Sequence, residues 1–326
     1  MKHDISIEGV GYRLRPIGLD DAQFIINIRL EDQDRNQYIN PISTEITAQE
    51  KWLEQYFERQ GDYYFVVENK ITQSSEGLIG IYDLDDNKAE WGRWVIKKGS
   101  LATAESLDLM FKVAFGHFNL KEVYCRTIAE NHRVVSLHDS LPQLSRGTLE
   151  DTTEINGVQY VVIEHYVTPT HFYENIVADL EKKAMFIFQR NLRSLIGELE
   201  FHHIGLATSS LEDEFKAYRF LGYTRENTIF EDEEQGIRGQ FITAPGQPRI
   251  ELLENLQGSS TLDVWLKNRI KMYHFAYKTH NIEEAIKVLN ANKIRLVTPL
   301  KYSIYFETRI CFLLLSPNFL IELIEQ

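Results

Sequence analysis

Two apolar rhythms alternate along the first half of the chain, one of period two and one of helical period. Tyr12-Arg13-Leu14-Arg15-Pro16 predicts an opening strand. Asp20-Asp21 then leads into a helix with Phe24, Ile25 and Ile28 on one face, and Thr47 opens a second through Trp52, Leu53, Tyr56 and Phe57. Strands are predicted at 63–68, 77–84 and 89–96. A helix over 104–119 follows, with Leu107, Met110, Phe111 and Ala114 at helical spacing. Residues 123–128 read as a buried strand and a helix starts near Asn131. Asn156-Gly157 marks a hairpin between two closing strands, the second (158–167) rich in β-branched and aromatic residues.

The pattern changes at 171–199, a helical stretch with Ile176, Leu180, Met185, Ile187 and Leu195 set among Lys, Glu and Arg. It fits a linker helix that covers one domain or pairs with a partner chain, so association as a homodimer stays open. Residues 200–326 then repeat themselves. Phe201-His202-His203-Ile204-Gly205-Leu206 opens one copy and Met272-Tyr273-His274-Phe275-Ala276-Tyr277 opens the other. Amphipathic helices follow at 211–220 and 282–292, and the copies close on Ile250-Glu251-Leu252-Leu253-Glu254 and Ile321-Glu322-Leu323-Ile324-Glu325. His203 precedes Glu251 by 48 positions, and His274 precedes Glu322 by 48.

That equality carries chemistry. Side chains two apart share a strand face, so His203 points away from His202. Two equivalent modules packed together would bring two imidazoles and two carboxylates to one centre. Such a set suits a borderline divalent ion such as Zn, Co, Ni, Mn or Fe. A degenerate module that keeps these residues and binds no metal is the competing expectation.

With His-Ile-Gly-Leu-Ala at 203–207, Glu-Glu-Gln-Gly-Ile at 233–237, Ile-Glu-Leu-Leu at 250–253, Tyr-His-Phe-Ala at 273–276 and Leu-Ile-Glu-Leu at 320–323, this half resembles the vicinal-oxygen-chelate superfamily, which includes glyoxalase I and methylmalonyl-CoA epimerase. The resemblance implies a domain of two βαβββ modules, with His203, Glu251, His274 and Glu322 as metal ligands. It makes Glu234, just before Gln-Gly, the candidate catalytic base, although 231–234 also reads as a solvated acidic loop. The implied chemistry is proton transfer beside a carbonyl, of an epimerase, isomerase or lyase type, with a CoA thioester or keto-sugar nucleotide as substrate.

In the first half, Lys97-Lys98-Gly99-Ser100-Leu101-Ala102-Thr103 lies between a predicted strand and a helix. Small residues there let phosphates approach the backbone N–H groups at the helix start, although an ordinary strand–helix turn has the same composition. Residues 10–170 resemble the GNAT N-acetyltransferases, through Tyr-Arg-Leu-Arg-Pro at 12–16, Glu-Lys-Trp-Leu at 50–53, Gly-Leu-Ile-Gly-Ile at 77–81 and Ala-Glu-Trp-Gly at 89–92. The resemblance implies a mixed α/β sheet that binds acetyl-CoA, with 97–103 as the pyrophosphate loop and Asn131 against the pantetheine arm. Ser100 stands where that family has its first loop glycine. His138, seven residues after Asn131, occupies the general-acid position, and the stretch 131–140 is similar to acetyltransferases of nucleotide-linked amino sugars. Glu90 is the candidate base for the acceptor amine.

Composition narrows the partners. The net charge of −13 over 326 residues argues against nucleic acid, and no segment is apolar enough for a membrane span. Cys125 and Cys311 lie far apart in apolar runs, so buried free thiols are expected in a cytoplasmic protein. The expected architecture is α+β, with a GNAT domain at 1–170, a linker helix at 171–199 and a metal-binding glyoxalase-like domain at 200–326. The function expected is bifunctional: acetyl transfer to an amino-sugar nucleotide plus metal-dependent proton transfer. Two alternatives are an acetyltransferase of protein N-termini and a transferase regulated by a non-catalytic binding module.

Overall fold

A computed structural model describes residues 2–32, 36–85, 87–141, 145–316 and 319–326. The chain forms two compact units, Met1–Arg190 and Asn191–Gln326. In the first, eight strands make one sheet: β1 (Ile7–Glu8), β2 (Tyr12–Pro16), β3 (Tyr63–Asn69), β4 (Ser75–Tyr82), β5 (Lys88–Ile96), β6 (Glu122–Ile128), β7 (Ser145–Ile155) and β8 (Val158–Val167). Their order is β1-β2-β3-β4-β5-β6-β8-β7. Neighbours are antiparallel except β5 and β6, which run parallel.

The run Tyr64-Phe65-Val66-Val67 is apolar throughout because both sheet faces are covered. Tyr64 and Val66 pack with Ile25 of α1 (Ala22–Leu30) and with Leu53 and Tyr56 of α2 (Ile46–Phe57). Phe65 and Val67 face the other core, with Leu107 and Phe111 of α3 (Thr103–Lys112). Helix α3 widens into a π-helical turn over Val113–His117, and Asn119, at φ 55°, follows its end. After α4 (His132–Asp139), the hairpin turn has Asn156 at φ 51° and Gly157 at φ 79°, the pair of positive angles a tight two-residue connection needs. The expected linker is helix α5 (Val177–Ile196), which follows a π-helical turn at Phe172–Ile176. Phe172, Ile176 and Leu180 are buried in the first unit's core, and the division between units falls inside this helix rather than at 170.

One irregularity shapes this unit. Between β4 and β5 the register steps from Leu78–Val95 to Gly80–Gly92, so Arg93 and Trp94 oppose a single residue. Arg93 takes φ 47° there, and such a bulge bends its strand. Pairing of β5 with β6 runs only from Lys88–Glu122 to Glu90–Tyr124, and beyond it the two strands part. The bulge is held by Arg93, whose guanidinium donates to both Asp62 oxygens at 2.6 and 3.0 Å and lies 4.4 Å from the Tyr82 ring centre.

The second unit is a ten-stranded sheet made of two copies of one module. The first has β9 (Glu200–Ala207), α6 (Leu211–Arg219), β10 (Thr224–Arg225), β11 (Phe230–Asp232), β12 (Ile237–Thr243) and β13 (Ile250–Asn255). After the short helix α7 (Asp263–Lys267), the second has β14 (Met272–Thr279), α8 (Ile282–Ala291), β15 (Arg295–Leu296), β16 (Lys301–Ser303), β17 (Thr308–Leu315) and β18 (Phe319–Glu325). In each copy the first strand pairs in parallel with the last, β9 with β13 and β14 with β18. The copies join through antiparallel β9 and β14, which puts Ala276 opposite His203 and Gly205 opposite His274.

The Asp62–Arg93 pair is testable. Asp62 is buried, and its removal leaves the guanidinium without its partner. Asp62→Ala should lower the stability of the first unit by about 3 kcal/mol, read as the shift of its urea-unfolding transition.

Candidate functional site

His203 leaves β9 and His274 leaves β14, each on the face turned to the other module. Gly205 makes room between them, since a Cβ there would lie 2.2 Å from the His274 ring. Glu251 of β13 and Glu322 of β18 arrive on the adjoining strands. The four residues, expected from the repeat to share a centre, meet in one buried cluster. His203 Nε2 lies 3.0 Å from His274 Nε2, 3.1 Å from Glu251 Oε2 and 3.6 Å from Glu322 Oε2. His274 Nε2 lies 3.5 Å from Glu251 Oε2 and 3.4 Å from Glu322 Oε2. A tetrahedral ion with bonds of ~2.0–2.2 Å sets its ligand atoms about 3.3–3.6 Å apart, close to the separations around each histidine here, and two imidazoles with two carboxylates are a donor set of the kind a divalent ion takes.

Electrostatics points the same way. Burial pushes His203 down to about 3, helped by the neighbouring His274, and pushes His274 down to about 4. Both rings are therefore neutral, as ligands must be. Burial raises the Glu251 and Glu322 carboxyls well above the usual carboxylate range, against the opposing pull of the histidines. Among the described residues, Glu322 Oε2 and His274 Nδ1 are buried without a hydrogen-bond partner. Behind His203, its Nδ1 lies 2.8 Å from His202 Nδ1, and His202 Nε2 accepts from Arg249 at 2.8 Å. A guanidinium only donates, so His202 keeps its proton on Nδ1 and gives it to His203, which then carries its own proton on Nε2.

A cavity opens over this cluster, lined by Asp232, Gln235, Tyr273, Ser303 and Phe306, with Glu251, His274 and Glu322 also in its wall. Asp232 is buried and accepts from Gln235 N and Gln235 Nε2, each at 2.8 Å. Glu234 stands exposed on the turn between β11 and β12, outside the cavity's lining. Sequence reasoning missed Asp232. The available signal was the strand alternation that ends at Phe230-Glu231-Asp232, which puts Glu231 out and Asp232 in.

In the first unit, Glu90 sits where β5 and β6 part. It is largely buried, accepts from Tyr82 Oη at 3.1 Å and lies 3.7 Å from Arg126. Burial raises its carboxyl above the ordinary value. His138 on α4 lies in the same region, its ring 5.3 Å from Trp91 and stacked on Trp94 at 6.5 Å. Burial, with His165 beside it, pushes its imidazole down to about 3. Asn131 precedes the first turn of α4, without a side-chain cap bond.

The loop 97–103 connects β5 to the N-terminus of α3. Gly99 takes φ 83° with open space where a Cβ would stand. Ser100 donates to Glu76 at 2.6 Å and accepts from the Ala102 N–H at 3.2 Å. The Lys98 N–H donates to Glu31 at 2.9 Å, and the Lys98 ammonium lies 3.7 Å from Asp32. Lys97, Leu101 and Thr103 complete the turn, with Thr103 starting the helix. One carboxylate thus holds the Lys98 N–H and another the Ser100 hydroxyl.

Residues 12–141 match the acetyltransferase (GNAT) domain model, and residues 202–312 match the glyoxalase/bleomycin resistance protein/dioxygenase superfamily model. The chain therefore joins a GNAT domain to a glyoxalase-type domain. The fold is α+β, as expected. No curated protein matches it. Among solved structures, it is similar to apo FdhC, a nucleotide-linked sugar GNAT, at 22% identity over 55% of this chain and 98% of that one, with a TM-score of 0.47. It is also similar to spermidine N-acetyltransferase from Vibrio cholerae in complex with CoA and spermine, at 20% identity over 51% of this chain and 100% of that one, with a TM-score of 0.44. Among the described residues, no helix is long and apolar enough to cross a membrane.

The raised carboxyls fix the direction of a pH effect. Without metal, Glu251 and Glu322 hold protons to higher pH than exposed glutamates do, and ligation must displace them. Divalent-metal affinity of the second unit should therefore climb with pH, at least tenfold between about pH 5.5 and about pH 8, measured by competition with a chromophoric chelator.

Proposed function

We propose that this pairing of a GNAT domain with a glyoxalase-type domain is a bifunctional enzyme, which acetylates a nucleotide-linked amino sugar and carries out metal-dependent proton transfer. The observation that carries the second activity is the buried cluster in which each histidine Nε2 lies 3.0–3.6 Å from the other and from both carboxyls, beneath a cavity that also holds Asp232. A divalent ion held by His203, Glu251, His274 and Glu322 supplies Lewis acidity toward a substrate carbonyl or enolate-like oxygen. Tyr273, Phe306 and Phe312 give the cavity apolar walls, which strengthen any charge interaction inside. Asp232 takes the proton beside the carbonyl and returns it, a role that its place in the cavity favours over exposed Glu234. The substrate class is an enolisable CoA thioester or keto-sugar nucleotide.

For acetyl transfer, the parting of β5 from β6 leaves backbone edges for an extended pantetheine arm, with Asn131 and the 97–103 loop placed along it. Acetyl-CoA supplies an acyl group on a thiolate leaving group. Glu90, with its raised carboxyl, takes the proton that the acceptor amine gives up as the new C–N bond forms. The Cys125 thiol, protonated because burial raises it, lies 3.5 Å from His138 Nδ1. Donation from that thiol leaves the His138 proton on Nε2, which has no partner among the described residues. In this reading that N–H donates a hydrogen bond to the departing thiolate. The amino-sugar acceptor rests on the likeness of residues 131–140, with their His138, to amino-sugar-nucleotide acetyltransferases.

Two measurements test the activities separately. Glu90→Gln should lower kcat for acetylation of an amino-sugar nucleotide by about 100-fold with little change in the KM for acetyl-CoA. Acetylation of peptide N-termini with no turnover of amino sugars would replace this acceptor class.

His274→Ala/Glu322→Ala should remove one equivalent of divalent metal per chain relative to the wild type. Asp232→Asn should keep that metal and slow solvent-deuterium exchange into an enolisable thioester by about 100-fold. Equal metal content in wild type and double variant would leave the second unit a binding module.

A further inference from the structure

Cys125 and His165 are cross-strand partners on β6 and β8, so their side chains share one face of the sheet. Helix α4 lays His138 over them, and the His138 and His165 rings come within 5.1 Å. All three residues are buried. The Cys125 sulfur and one nitrogen from each imidazole lie within 4.8 Å of one another. Cys125 Sγ lies 3.5 Å from His138 Nδ1. A tetrahedral zinc with bonds of ~2.3 Å to sulfur and ~2.0 Å to nitrogen puts those atoms about 3.5 Å apart.

The hydrogen bonds around the cluster leave it incomplete. His165 Nε2 lies 3.0 Å from Asp139 Oδ1, which fixes the ring and turns Nδ1 inward. Among the described residues, that Nδ1 is buried with no partner. A buried nitrogen without a partner is costly, and one beside a thiol is unusual for a wall whose only task is packing. A carboxylate bonded to the outer nitrogen of an imidazole is the arrangement that orients and strengthens a histidine ligand.

We propose that Cys125, His138 and His165 form a second metal site, in the first unit, for a borderline divalent cation such as zinc, with Asp139 holding His165 in position. Binding replaces the thiol proton with a sulfur–metal bond and releases that proton to solvent. Three protein ligands leave a fourth position for water or a small ligand. The site joins β6, α4 and β8 at the place where β5 and β6 part. It stands on its own geometry, whether or not the cleft transfers acetyl groups.

Cobalt(II) is the probe, because thiolate ligation gives an intense near-ultraviolet charge-transfer band that a His/Glu site cannot give. The full chain, reduced and stripped of metal with a chelator, is titrated with cobalt. The expected result is a thiolate-to-cobalt band that saturates at about one equivalent. It should persist in Cys311→Ser and in His274→Ala/Glu322→Ala, and disappear in Cys125→Ser. Asp139→Asn, which keeps all three ligands, should weaken the cobalt affinity read from this band by about tenfold or more. No band in the wild type, or a band that survives Cys125→Ser, overturns the proposal. A band with no acetyl transfer to any amine would leave this site standing and remove only the transferase reading.

Discussion

Two imidazoles and two carboxyls taken out of water at one point form the constraint around which the second unit is organised. Burying ionised carboxylates without compensation is expensive, and the cluster responds by holding protons where exposed groups would not. Exchange of those protons for a divalent cation, as proposed, would satisfy the four groups. The surrounding structure holds the cluster in place. The β9–β14 pairing sets the histidines face to face, Gly205 clears space for one ring, and the Arg249–His202 pair sets the tautomer of the other. Removing one member leaves the remaining three buried and unbalanced, so the cluster behaves as a unit rather than as four separate contacts.

The first unit solves a different problem, which is to open a sheet without losing it. A strand that leaves its neighbour exposes backbone donors and acceptors, and it needs a local cause. The cause is the β5 bulge at Arg93, whose left-handed backbone is held by the bidentate pair with Asp62 and by packing on Tyr82. Glu90, three residues earlier, is consequently left where the strands part, largely buried. A positioned carboxylate and a space for substrate both follow from one residue inserted in a strand.

Much of this was legible in the sequence wherever the signal was periodic or repeated. The matched spacing of 48 residues identified the four clustered groups, because a duplicated module must return equivalent residues to equivalent places. The alternation in 158–167 and the Asn156-Gly157 pair read correctly because their causes are local. The bulge at Arg93 was not legible, since Gly92-Arg93-Trp94 carries no turn signature and tertiary contacts impose the angle. Neither was the choice between Asp232 and Glu234, two residues apart in one acidic run. Alternation in β11 puts Asp232 on the inner face, but the turn after it has no period from which to place Glu234. Cys125 looked like an ordinary buried thiol because the two histidines beside it come from a helix and another strand, 13 and 40 positions away.

The repeat is not a perfect copy, and the difference falls inside the cavity. Asp232 and Ser303 occupy matching places in the two modules, and each accepts the N–H three residues on, from Gln235 and Phe306 respectively. The exchange of acid for alcohol therefore preserves the turn while removing the charge on one side only. A planar intermediate lying between the modules would meet a carboxylate at one face and a hydroxyl at the other. The pseudo-twofold relation between the modules is thus broken beside the four clustered groups, and the two faces of a flat guest would meet different neighbours. Duplication brought the four groups together, and divergence of a single pair supplied handedness.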